Sequence, residues 1–157
     1  MNSQDLYFVL REKNIITRES GRYKNHNHIC LFFCGNWKNF NLSDQIVAAE
    51  NEMLTGGFPY SVHAEINMLK KIQTKPSLNR RKNYDIIVVR VSRTGVFGNS
   101  RPCFHCIANL IANNYIKIKY VYYSNGDGEI MKEKLSDMLV SDSTKLSSGH
   151  RSKKIIL

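Results

Sequence analysis

Four residues of this chain are of a type and spacing to do chemistry: His63 and Glu65 in Ser61-Val-His-Ala-Glu65, and Cys103 and Cys106 in Pro102-Cys-Phe-His-Cys106. One imidazole and two thiolates are donors that zinc prefers, and three donors leave one corner of a tetrahedron for water. The two thiolates balance the double charge of the ion, and zinc brings the pKa of that water from 15.7 to about 7. Glu65 is out of place in a purely structural zinc site, but a carboxylate there can carry a proton from the water to a leaving amine. Singly, the halves say little. Cys-x-x-Cys is shared by structural zinc ribbons and redox motifs, and His-x-Glu is weaker still. Together, each at a helix start and parted by a strand-like run, they point to catalytic zinc.

Each half of the motif needs a rigid element to hold it. Residues 63 to 74 place Ile66, Met68, Leu69 and Ile72 at helical spacing, with Ser61 as the expected N-cap. Residues 103 to 114 place Ile107, Leu110 and Ile111 likewise, and Pro102 suits the first helical turn. Cys103 and Cys106, three apart, share one side of that turn. The positive end of a helix favours ionised thiols, which helps both cysteines act as ligands. His63 and Glu65 are two apart, on different faces of a regular helix. They converge only if the helix points its end, not its side, at the metal.

The chain of 157 residues is long enough for one domain with a sizeable core, which we assign to residues 1 to 140, followed by a polar, basic tail at 141 to 157. Residues 3 to 19 suit a helix, although Tyr7-Phe-Val9 would also suit a strand. Strands are expected at 28 to 34, 45 to 51, 84 to 91, 117 to 124 and 129 to 134. Asn125-Gly-Asp-Gly128 marks a hairpin between the last two and leaves no room for a helix there. Residues 135 to 140 suit a short helix. Strand, strand, helix, strand, helix, strand, strand is a three-layer α-β-α arrangement around a mixed five-stranded sheet ending in an antiparallel hairpin. It brings both motif helices to one edge of the sheet by their N-termini, where α/β ligand sites lie.

Cys30 and Cys34 fall in a strand, about 13 Å apart, too far to bind one ion, and read as buried free thiols. No signal peptide or membrane-spanning apolar stretch is read, so the cytosol, or the nucleus, is the expected location and a membrane is not an expected partner. The balance of 23 Lys and Arg against 13 Asp and Glu gives +10 and suggests anionic partners. Residues 70 to 93 carry eight basic residues and one acidic, but Lys75 to Lys82 follow the helix that begins at His63 and should lie at the far pole from the metal. Arg90, Arg93 and Arg101 are better placed, because there the chain is returning towards the cysteines.

On His63, Glu65, Pro102, Cys103 and Cys106, the sequence resembles the cytidine deaminase-like superfamily over roughly residues 25 to 135. The resemblance implies bound Zn2+ held by His63, Cys103 and Cys106, with Glu65 as the catalytic acid and base. A His as first ligand resembles deoxycytidylate, tRNA-adenosine and polynucleotide-editing deaminases rather than enzymes of free cytidine. The antiparallel last hairpin resembles a subgroup that includes free-nucleoside enzymes and bacterial polynucleotide-deaminating toxins. By the same resemblance, Asn51 is a candidate to touch the sugar; an ordinary turn Asn is the competing reading. The Ala64 amide and the backbone around Ser100 and Arg101 would hold the base edge, and Tyr123 or Ser124 would border it. Phe58 and Tyr60 could wall the pocket, whereas Tyr120 and Tyr122 read as core.

The expected activity is hydrolytic deamination of a nucleobase, foremost cytosine to uracil, in a nucleotide or a nucleic acid. A nucleotide would need one or two cations beside the sugar, for which Arg93 and Arg101 are candidates. A polynucleotide would need a basic track and exposed aromatics for flanking bases. Two alternatives stand beside it: adenine deamination in tRNA or another nucleic acid, and a non-catalytic zinc-bearing module that binds nucleic acid or protein. The expected partner is the substrate itself, and a homo-oligomer is left open.

Overall fold

The strand Asn83–Ser92 organises the fold because both of its faces are apolar. Tyr84, Ile86 and Val88 point into one buried cluster, and Ile87, Val89 and Val91 into another. A strand covered on both sides belongs in the middle of a sheet. The computed structural model describes residues 26–33, 45–53, 61–75, 78, 81–92 and 95–140. Within them the strands are β1 (His26–Phe33), β2 (Gln45–Glu50), β3 (Glu52–Met53), β4 (Ser61–Val62), β5 (Asn83–Ser92), β6 (Phe97–Gly98), β7 (Lys117–Ser124) and β8 (Ile130–Lys134). The helices are α1 (Ala64–Gln73), α2 (Phe104–Ala112) and α3 (Leu135–Met138).

The main sheet runs β2-β1-β5-β7-β8, with β6 paired to β5. Among the described residues, β5 and β7 are parallel neighbours and the other pairs are antiparallel. A parallel pair needs a crossover connection, and α2 supplies it. The sequence therefore predicts the five principal strands in order, and the mixed α/β architecture is as expected. The short pairs β3–β4 and β5–β6 are additions that two-residue strands leave no periodicity to reveal.

Helices α1, α2 and α3 cover one face through Ala64, Met68, Ile72, Ile107, Leu110 and Met138. The opposite face is equally buried around Ile29, Leu31, Phe33 and Val89. The helix expected at residues 3 to 19 and the tail at 141 to 157 lie outside the described residues. So do Cys34, Trp37, Phe58, Tyr60 and Arg93. Cys30 is a buried free thiol, as read from the sequence.

The hairpin between β7 and β8 is wider than a two-residue turn. Asn125 O accepts from Gly128 N at 3.1 Å, and Asn125 Oδ1 accepts from the amides of Asp127 and Glu129, each at 2.9 Å. Gly128 takes φ +80°, which an L side chain would resist, so glycine is required there.

Candidate metal centre

Both motif helices begin one residue later than their chemistry. His63 is the N-cap of α1 and Cys103 the N-cap of α2, each extended at φ −69°, ψ 152° and φ −74°, ψ 166°. Neither makes a side-chain capping bond. The expected N-cap Ser61 instead lies in β4, paired with Met53, and Pro102 precedes the helix rather than opening it. The reason is chemical. A donor at the N-cap projects from the helix end, so opposite helix faces no longer separate His63 from Glu65. Giving up an ordinary cap costs about 1 kcal/mol per helix.

His63 Nδ1 stands 3.2 Å from Cys106 Sγ and 3.6 Å from Cys103 Sγ. All three donor atoms lie within 4.8 Å of one another. A tetrahedral zinc, about 2.3 Å from sulfur and 2.0–2.1 Å from nitrogen, needs donors about 3.5–3.8 Å apart. The 3.6 Å spacing falls in that range and the 3.2 Å one is 0.3 Å short of it, so with a small outward shift of Cys106 the group could hold a metal ion.

The protonation pattern follows from this crowding. Cys106 hydrogen-bonds to Cys103 and, with help from His63, brings the Cys103 thiol down to about 4. The same bond, and then burial, push the Cys106 thiol up. His63 is raised, chiefly by its bond to Cys103. Glu65 is buried in the first turn of α1, only 4% exposed. Burial raises its carboxyl above the usual range, opposed by its own amide, by His63 and by a hydrogen bond from Cys106. Burial, and then the Glu65 charge, raise the Cys30 thiol, and Cys30 packs in the same buried cluster as Ala64 and Met68 of α1.

No protein-family model and no curated protein matches the sequence. Solved structures do resemble it. The cytidine deaminase from Burkholderia pseudomallei is 14% identical, with a TM-score of 0.51 over 92% of this chain and 99% of that one. The chain has the cytidine deaminase-like fold. A dCMP deaminase from the cyanophage S-TIM5 is 15% identical over 90% of this chain and 95% of that one, at a TM-score of 0.43, too low to bear on the fold. The superfamily resemblance drawn from five motif residues thus holds at the level of the fold, and the cytidine deaminase-like fold brings together His63, Glu65, Cys103 and Cys106 from two distant segments.

Around that centre the fold distributes the remaining candidates unevenly. Ala64 is buried at the first position of α1, between His63 and Glu65. Asn51 lies just past β2; its Oδ1 accepts from His28 N at 3.1 Å, and its own amide donates to His28 O. It lines an open groove of about 520 Å³ with Glu50, Asn67, Lys70 and Lys71, which does not include the metal donors.

Ser100 and Ser124 are both buried, at 5% and 0% exposure. Ser100 Oγ donates to Val88 O at 2.6 Å and accepts from Ser124 N at 2.9 Å. Ser124 Oγ donates to Gly98 O at 2.6 Å. Together they stitch the approach to α2 onto β5 and β7. Tyr123 packs in the helix-side core, and its hydroxyl donates to Glu133. Arg101 meets the same carboxylate through Nε at 2.8 Å and Nη2 at 3.2 Å. Its charge is therefore already matched. Glu133 has no counterpart in the sequence reading; its one signal was an acid between Lys132 and Lys134 in a basic hairpin. His105 sits on the exposed side of α2, against Asn109, as a residue pointing away from the metal should.

Proposed function

We propose that this protein is a zinc-dependent hydrolytic deaminase of a nucleobase, acting on cytosine in a nucleotide or a nucleic acid. The observation that carries it is the convergence of His63, Cys103 and Cys106 at zinc-like spacing with a buried carboxylate, Glu65, in contact with one of the sulfurs. His63, Cys103 and Cys106 would hold the ion. Zinc bound there supplies the Lewis acidity that makes water a nucleophile at neutral pH.

The rest is work for the chain. Glu65 accepts the water proton as oxygen attacks the amine-bearing carbon, passes it to the ring nitrogen, and delivers the second proton to the departing amine, which leaves as ammonia. The burial of Glu65 excludes bulk water from this exchange. The Ala64 amide stands beside the carboxylate to hold the base edge. In this reading Ser100, Ser124, Arg101 and Tyr123 keep the loop before Cys103 in place, and Asn51 is the sugar contact.

The test is ammonia release by zinc-loaded protein from dCMP, CMP, cytidine, adenosine, guanine, single-stranded DNA and tRNA. Release from a cytosine substrate is expected, and Glu65→Ala should keep zinc and fold while losing activity by at least the 10²–10⁴-fold that general acid–base catalysis contributes, as an order of magnitude. Release from adenine substrates alone would replace cytosine by adenine. A zinc-loaded protein silent on every substrate, and indifferent to Glu65→Ala in a binding assay, would sink the enzyme reading.

A further inference from the structure

One basic side chain at the site end of the sheet is not accounted for. Residues Tyr84, Ile86 and Val88 of β5 face the helices, so by the two-residue alternation of a strand Arg90 does too. It is placed two pairs beyond Val88 and Cys30, which share a buried cluster with Ala64 at the start of α1. The helices α1 and α2 both start at this end. Asn51, His28, Arg90 and Gly98 form a row across it: Asn51 bonded to His28, His28 opposite Arg90, and Arg90 opposite Gly98.

Gly98 leaves this guanidinium room. A Cβ there would lie 3.4 Å from Arg90 Cδ and 3.8 Å from Nε, so the arginine stem lies against the bare backbone of β6. Among the described residues, Arg90 Nε is a buried side-chain nitrogen that no hydrogen bond satisfies. Buried donors are normally paired, and a charged one most of all. The contrast with Arg101 is plain, since a bidentate bond to Glu133 holds that guanidinium. Arg90 is thus a half-buried cation at the site end of the sheet with a donor still to give.

We propose that Arg90 is a specificity-determining residue that binds a phosphate of the substrate, so that this site takes a phosphorylated nucleoside, free or within a strand, in preference to a bare nucleoside. The inference rests on the deaminase reading only for the base that the phosphate accompanies. Guanidinium suits the task because its fork of donors matches phosphate oxygens, and Lys does not reproduce that fork.

The experiment compares zinc-loaded wild type with Arg90→Gln and Arg90→Lys on deoxycytidine, dCMP and a short oligodeoxycytidine. Arg90→Gln should lower kcat/KM by about 30-fold or more on the phosphorylated substrates and less than about 3-fold on deoxycytidine, with Arg90→Lys between. Loss on dCMP alone assigns the free nucleotide phosphate; loss on the oligomer alone assigns a phosphodiester. Equal losses on all three, or none on any, overturn the proposal.

Binding separates its failure from failure of the activity. In Glu65→Gln protein, dissociation constants for dCMP and deoxycytidine are measured with and without Arg90→Gln. A preference for dCMP that disappears with Arg90 upholds the phosphate site even if no substrate is turned over. A preference that survives Arg90→Gln, or binding of neither compound, overturns it even in an active enzyme.

Discussion

A thiol at the N-cap of α2 behaves differently from the same thiol in a strand, and the two can be told apart in solution. The Cys103 thiol, held near 4, is ionised throughout the neutral range, whereas burial keeps Cys30 protonated, and the bond to Cys103, with burial second, does the same for Cys106. Metal-stripped protein should therefore be alkylated by iodoacetamide at Cys103 at pH 6, ahead of Cys30 and Cys106, with peptide mass spectrometry as the readout. Stoichiometric zinc should protect Cys103. Alkylation of Cys30 first, or no protection, would remove Cys103 from the ligand set. Cys106→Ser should cut zinc affinity at least 10-fold and leave a folded chain, since the core of the helix face does not depend on that sulfur; zinc content after dialysis checks it. These four residues were legible because chemistry restricts their types. Glu133 was not, because a glutamate between lysines acquires meaning only from strand pairing; Arg90 stood among three cations near the cysteines, and strand parity and pairing are what single it out.

At the scale of elements, the stretch from Gly98 to Cys103 must be fixed for α2 to present its thiols, and two devices fix it. The first is Ser100 with Ser124. Ser100→Ala leaves the Val88 carbonyl and the Ser124 amide without their buried partner, which should cost about 1–3 kcal/mol in urea denaturation. Ser100→Thr should recover part of it. The second is Glu133, whose carboxyl is held below its usual range by the Arg101 guanidinium and then by the Tyr123 hydroxyl. Because the folded-state pKa is depressed, its stabilisation is complete above about pH 4.5 and is lost as the pH falls through the folded-state value. Glu133→Gln should therefore be less stable than wild type at pH 7 and converge with it towards pH 3, as judged by chemical denaturation across that range. A constant difference at every pH would show that the pair contributes through packing alone. Sequence periodicity located the five strands and both helices to within two residues, because branched strands and apolar helical stripes are local signals. It misassigned both helix starts, because residues chosen for metal chemistry occupy the positions where capping residues are expected.

The charge of the whole chain, +10, invites a polynucleotide, but among the described residues few of the cations stand near the candidate site. Helix α1 points its N-terminus at the metal donors, and its ten residues carry the chain about 15 Å away. Lys75, Arg81 and Lys82 lie beyond its far end, and all three are exposed. Exposed charges separated by more than about 8 Å are screened at physiological salt, so this cluster contributes little potential at the site. Among the described residues, Arg90 and Arg101 lie at the site end of the sheet, and Glu133 neutralises the second. A fourfold rise in salt weakens a single phosphate contact about 2–3-fold, but five contacts to a single strand more than about 100-fold. Between 50 and 200 mM salt, kcat/KM for dCMP should fall no more than about 3-fold, and replacing Lys75, Arg81 and Lys82 together by serine should leave it unchanged. A fall approaching 100-fold on a 12-nucleotide oligodeoxycytidine, relieved by the triple substitution, would mean that the strand wraps from the metal centre to the opposite pole and that the basic cluster is part of the binding surface.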